Sequence, residues 1–586
     1  MKILIIDFEV FKYDTLLGVL ILNNKNNTIT KYQTWNLQEI KQFYFDNKNS
    51  LWVGHNNIGY DNLILEAIVC NENPYLLSKR IVKEQFRQRC NLPLLTHDTM
   101  RGFYSLKTTE LICGKNISET PIDFNLDRPL TEEEKREVEK YNADDLFQTY
   151  DNFNAQIDDF SIRLDIINEF NLSMNLLNVS GTKLAAIVLG AKAIPGIENQ
   201  VVETKLPKNI KIKNQKVIDF YLNEDFRKGK SIKTTLCNCE HIIAAGGIHA
   251  AQKKIFVDKA LYFDVSGYYN LIMINYDLLP RTMPKESREK YTYMYHEQLR
   301  LKKINPRKRA SYKTILLCVF GGMLNKYTDF YDPYNGSLVT ITGELFLVDL
   351  LEKLEGIGEV IQSNTDGIIF KPYNWSKKDE VIKIVEEWEN RTGFVIKKEE
   401  INNLWQRDVN NYLFDNNGSA VVKGEVVSAY SKTENPIWSQ LWNAKEPAII
   451  AKGIVDFLLY GITPEKTVEK NKESLILFQY ACKTLSFDYS MYEAIDKFGN
   501  KIEKRLQNIN RAFASNDNNL IGTVVKYKTE GDKIKKSKIQ SLPQNVFIYN
   551  EDIREPTIIQ KLVEKIDYSY YINRIWERLK EFVPDE

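Results

Sequence analysis

Asp7 and Glu9 stand two residues apart in the otherwise apolar run KILIIDFEV. A period of two puts both carboxylates on one face of a strand with Ile5, and puts Leu4, Ile6 and Phe8 on the other. Two carboxylates on a core strand repel each other and resist desolvation, and a bound divalent cation answers both problems. Taken alone, the pair also fits a strand whose end is solvated. Asp61 lies at a strand-to-helix junction in HNNIGYDN, and Tyr141 and Asp145 in YNADD fall at i and i+4 on one helix face. Four carboxylates and a tyrosine from three separate segments form a set able to hold two Mg²⁺ ions about 4 Å apart and to activate a water against a phosphodiester.

A second acidic pair lies further on. Asp264 ends the strand-like KALYFDVSG just before the helical YYNLIMI, and Asp366 sits at the tip of the hairpin signal QSNTDGIIF. A carboxylate at a strand end and another at an adjacent turn can converge on a metal pair, although each alone also reads as a turn-forming or capping Asp. Between them, RLKKINPRKRASYK (300–313) carries seven basic residues and no acid. A solvated helix face is the plain reading. A triphosphate or a nucleic-acid backbone calls for the same concentration of cations. Lys313, Leu317 and Phe320 share one helix face, and Gly321-Gly322 follows, which suits a helix laid over a nucleotide.

The elements that must position these groups are legible in outline. KILIIDFEVF, TLLGVLILNN and TITKYQTW read as three strands before the helical NLQEIKQFYF; LWVGHNN adds a strand, and a long helix starts at the capping box Thr131-Glu-Glu-Glu134. A mixed α/β unit should end near 160–175. A less regular stretch to about 255 contains Gly246-Gly247, expected as a flexible joint. Beyond it, helices are expected at 285–304, 308–325, 342–354 and 376–391, with strands around 394–428. The remainder should be mainly helical, with a strand-rich basic insert near 503–550.

The 586 residues carry 79 Lys and Arg against 78 Asp and Glu, so a uniformly basic nucleic-acid clamp is excluded and a locally basic groove is not. There is no run of 18 apolar residues and no signal-peptide pattern. The seven cysteines are scattered, with one lone C-x-C at Cys237 and Cys239. A reducing cytoplasm is the expected location.

In order and spacing, Asp7-x-Glu9, Asn57 to Asp61 (N-x-x-Y-D) and Tyr141 to Asp145 (Y-x-x-x-D) resemble the three exonuclease motifs of proofreading DNA polymerases. Tyr104-Ser105-Leu106-Lys107 resembles the segment that contacts single-stranded DNA between the second and third motifs. The resemblance implies that Asp7, Glu9, Asp61 and Asp145 hold metal, that Tyr141 orients the attacking water, and that Asn57, Tyr60, Ser105 and Leu106 hold the frayed primer end. DVSGYYN is similar to motif A of family B DNA polymerases, with Asp264 a metal ligand and Tyr269 the sugar-discriminating ring. KTILLCVFGG is similar to motif B, with Lys313 and Phe320 in the matching places, and QSNTDGI to motif C, with Asp366 the bridging ligand. Asn411-Tyr412 followed by VVKGEVV (Lys423-Gly424) resembles the primer-gripping segment, and IAAGGIHA the Y-x-G-G joint between domains.

The resemblance runs over nearly the whole chain and is closest to the compact phage-type enzymes. It implies an α/β and α+β multidomain fold: an RNase H-like exonuclease domain at 1–170, a connecting region at 171–255, and a right hand with palm at 256–284 and 326–428, fingers at 285–325 and a helical thumb at 429–586. The implied activity is DNA-directed DNA polymerase, extending a primer from dNTPs, with 3′–5′ proofreading exonuclease, in phage DNA replication within the host cytoplasm. Two Mg²⁺ per active site are implied, with Mn²⁺ as the alternative. Lys313 and Arg300 would neutralise the triphosphate, and Tyr412 and Lys423 would touch DNA. Primer-template DNA and dNTPs are the expected partners, accessory replication proteins are an open class, and the chain is expected to be a monomer. The short intervals on either side of Lys313 leave no room for the insertions of protein-primed relatives, so ordinary nucleic-acid primers are expected.

The departures are specific. Gly267-Tyr268 follows Ser266 where the family has Leu, Leu317-Cys318 replaces an Asn-Ser pair, Phe320 replaces Tyr, Ala244 replaces Tyr at the joint, and Asn364 replaces the first Asp of motif C. A working site with altered metal preference is the expectation. The rivals are a 3′–5′ exonuclease whose C-terminal region only binds DNA, a DNA-binding replication scaffold without catalysis, and an RNA-making or RNA-templated polymerase.

Overall fold

The computed structural model describes residues 2–584 apart from 24–27, 101–103, 118, 121, 200–201, 205, 224–229, 245 and 425–445. The N-terminal sheet comprises β1 (Ile3–Val10), β2 (Thr15–Asn23), β3 (Thr28–Thr34), β4 (Leu51–Gly54) and β5 (Leu95–Asp98), ordered β3-β2-β1-β4-β5. The first three strands are antiparallel, and β4 and β5 run parallel to β1. Leu4, Ile6 and Phe8 pack under Trp52 and Ile64, while Ile5 on the opposite face packs with Leu146 and Phe153 of the Glu132–Ala155 helix. The period-2 pattern therefore aims Asp7 and Glu9 at that helix. Thr131 and Glu134 cap it reciprocally, and Glu132, Glu133 and Glu134 sit at the positive end of its dipole.

The second sheet holds β6 (Ser231–Leu236), β7 (Cys239–Ala244), β8 (Gly247–Ala251), β9 (Ile255–Val265), β10 (Gly358–Asn364), β11 (Gly367–Pro372), β12 (Ile396–Asp408), β13 (Asn411–Asn416) and β14 (Ser419–Lys423). Its order is β14-β13-β12-β9-β11-β10-β8-β7-β6, antiparallel at every junction. Phe263, Ile368 and Phe370 of the sheet join Phe346 and Trp388 of the Pro333–Leu354 and Lys378–Thr392 helices in one core. The Lys285–Arg300 and Pro306–Met323 helices form a hairpin against the Gly181–Val188 and Ile157–Glu169 helices.

Three expectations need correction. Gly246-Gly247 is not a joint between units but the turn between β7 and β8 inside the second sheet, with Gly246 at φ +116; Ala245, within the same motif, lies outside the described residues. The helix expected at 342–354 starts at Pro333, where Asp332 caps it and accepts a hydrogen bond from Arg281 at 2.6 Å. The C-terminal part is not mainly helical. Among the described residues it contains a three-stranded sheet (Tyr480–Lys483, Ile509–Ala514, Val546–Ile548) and a four-stranded one (Lys501–Leu506, Tyr489–Asp496, Leu520–Glu530, Lys533–Lys538) beside four α-helices. The expected boundary at 428/429 falls outside the described residues. Among the described residues no helix is long and apolar enough to cross a membrane.

Candidate active sites

At the N-terminal sheet, one carboxylate oxygen from each of Asp7, Glu9 and Asp145 lies within 4.8 Å of the others. Asp61 starts the Asp61–Val69 helix, is buried, and accepts a hydrogen bond from the Phe8 amide at 3.0 Å. Burial first, then the neighbouring carboxylates, hold Asp7 and Glu9 well above the usual carboxylate range. Burial pushes Asp61 up to about 7. Asn142 donates to Asp7 Oδ2 at 2.7 Å. Room for that amide comes from Gly18, the β2 partner of Asp7, where a Cβ would stand 1.8 Å from Asn142 Oδ1.

Lys107 enters the cluster, 2.7 Å from Asp145 Oδ1, 3.2 Å from Glu110 and 4.4 Å from the centre of the Tyr141 ring. Glu110 is a further buried acid, pushed up to about 8 by burial and then by Asp145. One lysine faces several buried carboxyls that burial and mutual repulsion leave holding protons, which a cation could replace. A hard divalent cation with oxygen ligands fits such a donor set.

The other residues expected here are placed unequally. Tyr141 lies one turn before Asp145, beside Lys107. Tyr60 shares a hydrogen bond with Ser78 at 2.8 Å, and Ser105 caps the Leu106–Ile112 helix. Asn57, expected at the strand end of a substrate, is fully buried with its amide on Thr96 at 2.8 Å. It shapes the loop after β4 and presents nothing to solvent. Lys107 and Glu110 as charge partners, and Asn142, were missed from sequence. The i, i+3 spacing of the first two was the available signal.

At the second sheet, Asp264 of β9 pairs with Gly367 of β11, and the carbonyl of the adjoining Asp366 accepts from the Val265 amide at 2.9 Å. The strand-end acid and the turn acid are thereby brought side by side. Thr365 holds the turn at φ +54, a conformation rare for a β-branched residue, and its amide donates to the Ile248 carbonyl at 3.2 Å. Burial and then Asp264 raise Asp366; burial raises Asp264 against the opposing pull of Lys397 and Lys423.

Both acids line a cleft of 410 Å³ with Asn364, Tyr262, Tyr412 and Lys423. Tyr412 and Lys423 face each other across β13 and β14. Gly424, at φ +100, closes the cleft where a Cβ would meet the Asn410 carbonyl at 2.0 Å. Asn364, at the end of β10, is neutral, so the described lining of this cleft holds two acids, Asp264 from β9 and Asp366 from the hairpin turn.

Tyr269, in the first turn of the Tyr268–Asn275 helix, stacks on Phe320 of the Pro306–Met323 helix. Lys313 and Leu317 are exposed and Phe320 is half-buried, as the shared face requires. Arg300 is exposed and engaged by Glu297 at 2.6 Å. Within the basic run, Arg307 pairs with Asp165 and Lys308 with Glu169, so these two cations dock the hairpin onto the Ile157–Glu169 helix and are not left open. Glu344, unforeseen from sequence, is buried behind the site, accepts from the Tyr221 hydroxyl and from the Gly246 amide at 3.2 Å, and is pushed up to about 8 by burial. A larger cavity of 680 Å³, lined by Pro207, Asn209, Tyr276 and Tyr334 among others, contains none of the expected site residues.

No family model matches the chain, and no curated protein matches it. Among solved structures, it is similar to the family B DNA polymerase of the hyperthermophilic archaeon Pyrobaculum calidifontis, at a TM-score of 0.42 and 13% identity, over 99% of this chain and 78% of that one.

Proposed function

We propose that the chain is a DNA-directed DNA polymerase of family B, of the compact phage type, with a 3′–5′ proofreading exonuclease. The observation that carries this reading is the convergence of Asp264 and Asp366 on one cleft while Asp7, Glu9 and Asp145 converge on a separate sheet. Two carboxylate centres in one nearly neutral chain suit two phosphoryl-transfer reactions, one making and one cutting the same bond. The strand order β3-β2-β1-β4-β5 agrees with an RNase H-like nuclease. The nine-stranded antiparallel sheet with its helical hairpin agrees with palm and fingers, and 429–586 is assigned as the thumb.

Asp264 and Asp366 would hold divalent ions in the cleft, and Asp7, Glu9, Asp61 and Asp145 would hold them in the nuclease; Mg²⁺ is the first choice and Mn²⁺ the alternative. Such ions supply an attacking oxygen of lowered pKa and charge for the departing one. The chain's own residues bind and orient. Lys313 meets the triphosphate from its exposed helix face, and Arg300 does so on leaving Glu297. Tyr269, backed by Phe320, forms a wall that a ribose 2′-hydroxyl would strike. Tyr412 and Lys423 grip the primer backbone, and the exposed Lys501–Leu506 and Lys533–Lys538 strands grip the duplex. In the nuclease, Tyr60, Ser105 and Leu106 hold the single-stranded end, Tyr141 orients the water, and Lys107 balances Asp145. Extension of a primed template with dNTPs and Mg²⁺ tests the reading. Failure to extend would leave the second reading, a 3′–5′ exonuclease with a DNA-binding C-terminal region, which the loss of an acid at Asn364 favours.

A further inference from the structure

Arg511, in the Ile509–Ala514 strand, is fully buried. A buried guanidinium is costly unless its N–H groups are matched. Here they meet main-chain carbonyls: Nη2 donates to Leu111 at 3.3 Å and Lys115 at 2.8 Å, and Nη1 to Glu551 at 2.8 Å, while Nε donates to Gln479 Oε1 at 2.8 Å. The Leu111 carbonyl belongs to the last turn of the Leu106–Ile112 helix, where it also accepts from the Gly114 amide at 3.0 Å, and the Lys115 carbonyl lies just beyond the helix end.

The same seam is stitched on both sides. Ile117 donates to the Asn550 carbonyl and Ile553 to that of Gly114, both at 2.9 Å, and Glu119 donates to Gln507 at 3.2 Å. Leu111, Ile112 and Ile117 pack on Ile509. Gly114, at φ +73, permits the approach, since a Cβ there would stand 2.9 Å from Ile476. The other end of this helix is the one that carries Lys107 to the acid centre, 2.7 Å from Asp145 Oδ1. Seven residues make a rigid lever only about 10 Å long.

We infer that Arg511 is a positioning residue for the N-terminal acid centre. By fixing the Leu106–Ile112 helix it fixes the Lys107–Asp145 contact, so the nuclease site is complete only with the C-terminal sheets docked. The inference rests on the nuclease reading for its chemistry, but not for its geometry.

The test compares the full-length wild type with Arg511→Met, Arg511→Lys and Gln507→Ala. Three quantities are followed: hydrogen exchange of the 106–112 amides, kcat and KM for metal-dependent shortening of a labelled single strand, and primer extension. In Arg511→Met the helix amides should exchange faster, KM for the strand should rise about tenfold and kcat should fall, with extension within about twofold of wild type. Arg511→Lys should recover part of the loss. Unchanged exchange, or faster exchange with unchanged shortening, would overturn the inference, and so would equal loss of both activities. Should Arg511→Met fail to fold, Arg511→Lys decides by the same criteria, and Gln507→Ala, which removes the links to Ile117 and Glu119 but leaves Arg511 in place, should speed exchange less. If the wild type shortens no strand, the nuclease reading fails, while the exchange comparison still decides whether Arg511 holds the helix.

Discussion

Tyr269 and Phe320, from two different helices, stack face to face with ring centroids 4.1 Å apart and planes inclined by 18°. The pair joins the helix that follows Asp264 to the helix that carries Lys313. Phe320 has no hydroxyl, so it contributes packing to the wall and nothing to hydrogen bonding. Tyr269→Ala should admit ribonucleotides, lowering the ratio of kcat/KM for deoxy- over ribonucleotide by about tenfold or more, and Phe320→Tyr should leave that ratio within about twofold. Single-nucleotide insertion kinetics measure both.

Asn364 has the shape of an aspartate beside Asp264 and Asp366 but not its charge. Asn364→Asp should lower the Mg²⁺ concentration that half-saturates extension by several-fold. Without metal it should lower Tm, because a third carboxylate beside Asp264 and Asp366 adds repulsion. A metal titration of extension and a thermal scan in chelator check the two halves.

Glu344 titrates in the fold far above its ordinary value of 4.5, at about 8. The folded protein therefore holds this proton more tightly than the unfolded chain does. The stability it contributes is complete below 4.5 and is lost as pH rises toward about 8. Glu344→Gln retains the contacts to Tyr221 and Gly246 without the titration. The variant's Tm should fall less steeply than that of wild type across this window, and equal slopes would contradict the assignment.

Much of this architecture is legible in the residues. The period-2 placement of Asp7 and Glu9, the Thr131 capping box and the Asp366 hairpin follow from local rules of strand, cap and turn, and the structure places each as the pattern requires. What local rules do not carry is partnership across the chain. KIEKRL falls at the start of the strand-rich basic insert expected near 503–550 and is an exposed strand, but nothing local names its partner, Tyr489–Asp496, because strand pairing is decided by cross-strand contacts. Asn57 fits its motif by type, but its burial depends on Thr96, 39 residues away. Arg511 has no local signature at all, since its meaning lies in carbonyls about 400 residues earlier. Glu344 reads as one more polar residue on a helix until Tyr221 and the β7–β8 turn close over it.

The basic C-terminal sheet offers a separate handle. Lys536 and Lys538 lie on one face of their strand, with Lys536 over the Tyr527 ring at 4.8 Å and Tyr527 stacked on Tyr489. If this face grips the duplex backbone, Lys536→Ala with Lys538→Ala should weaken primer-template binding alike for unrelated sequences. The slope of log affinity against log salt should flatten by about 0.9 for each phosphate that the variant no longer neutralises. Binding isotherms over a range of salt concentrations measure this.

The most direct measurement sets extension of a primed template beside shortening of a labelled single strand, in Mg²⁺, for wild type, Asp366→Ala and Asp7→Ala. The account predicts that Asp366→Ala loses extension by on the order of a thousandfold and keeps shortening, and that Asp7→Ala does the reverse. Loss of both activities in either correctly folded variant, or of neither, would contradict two independent carboxylate centres.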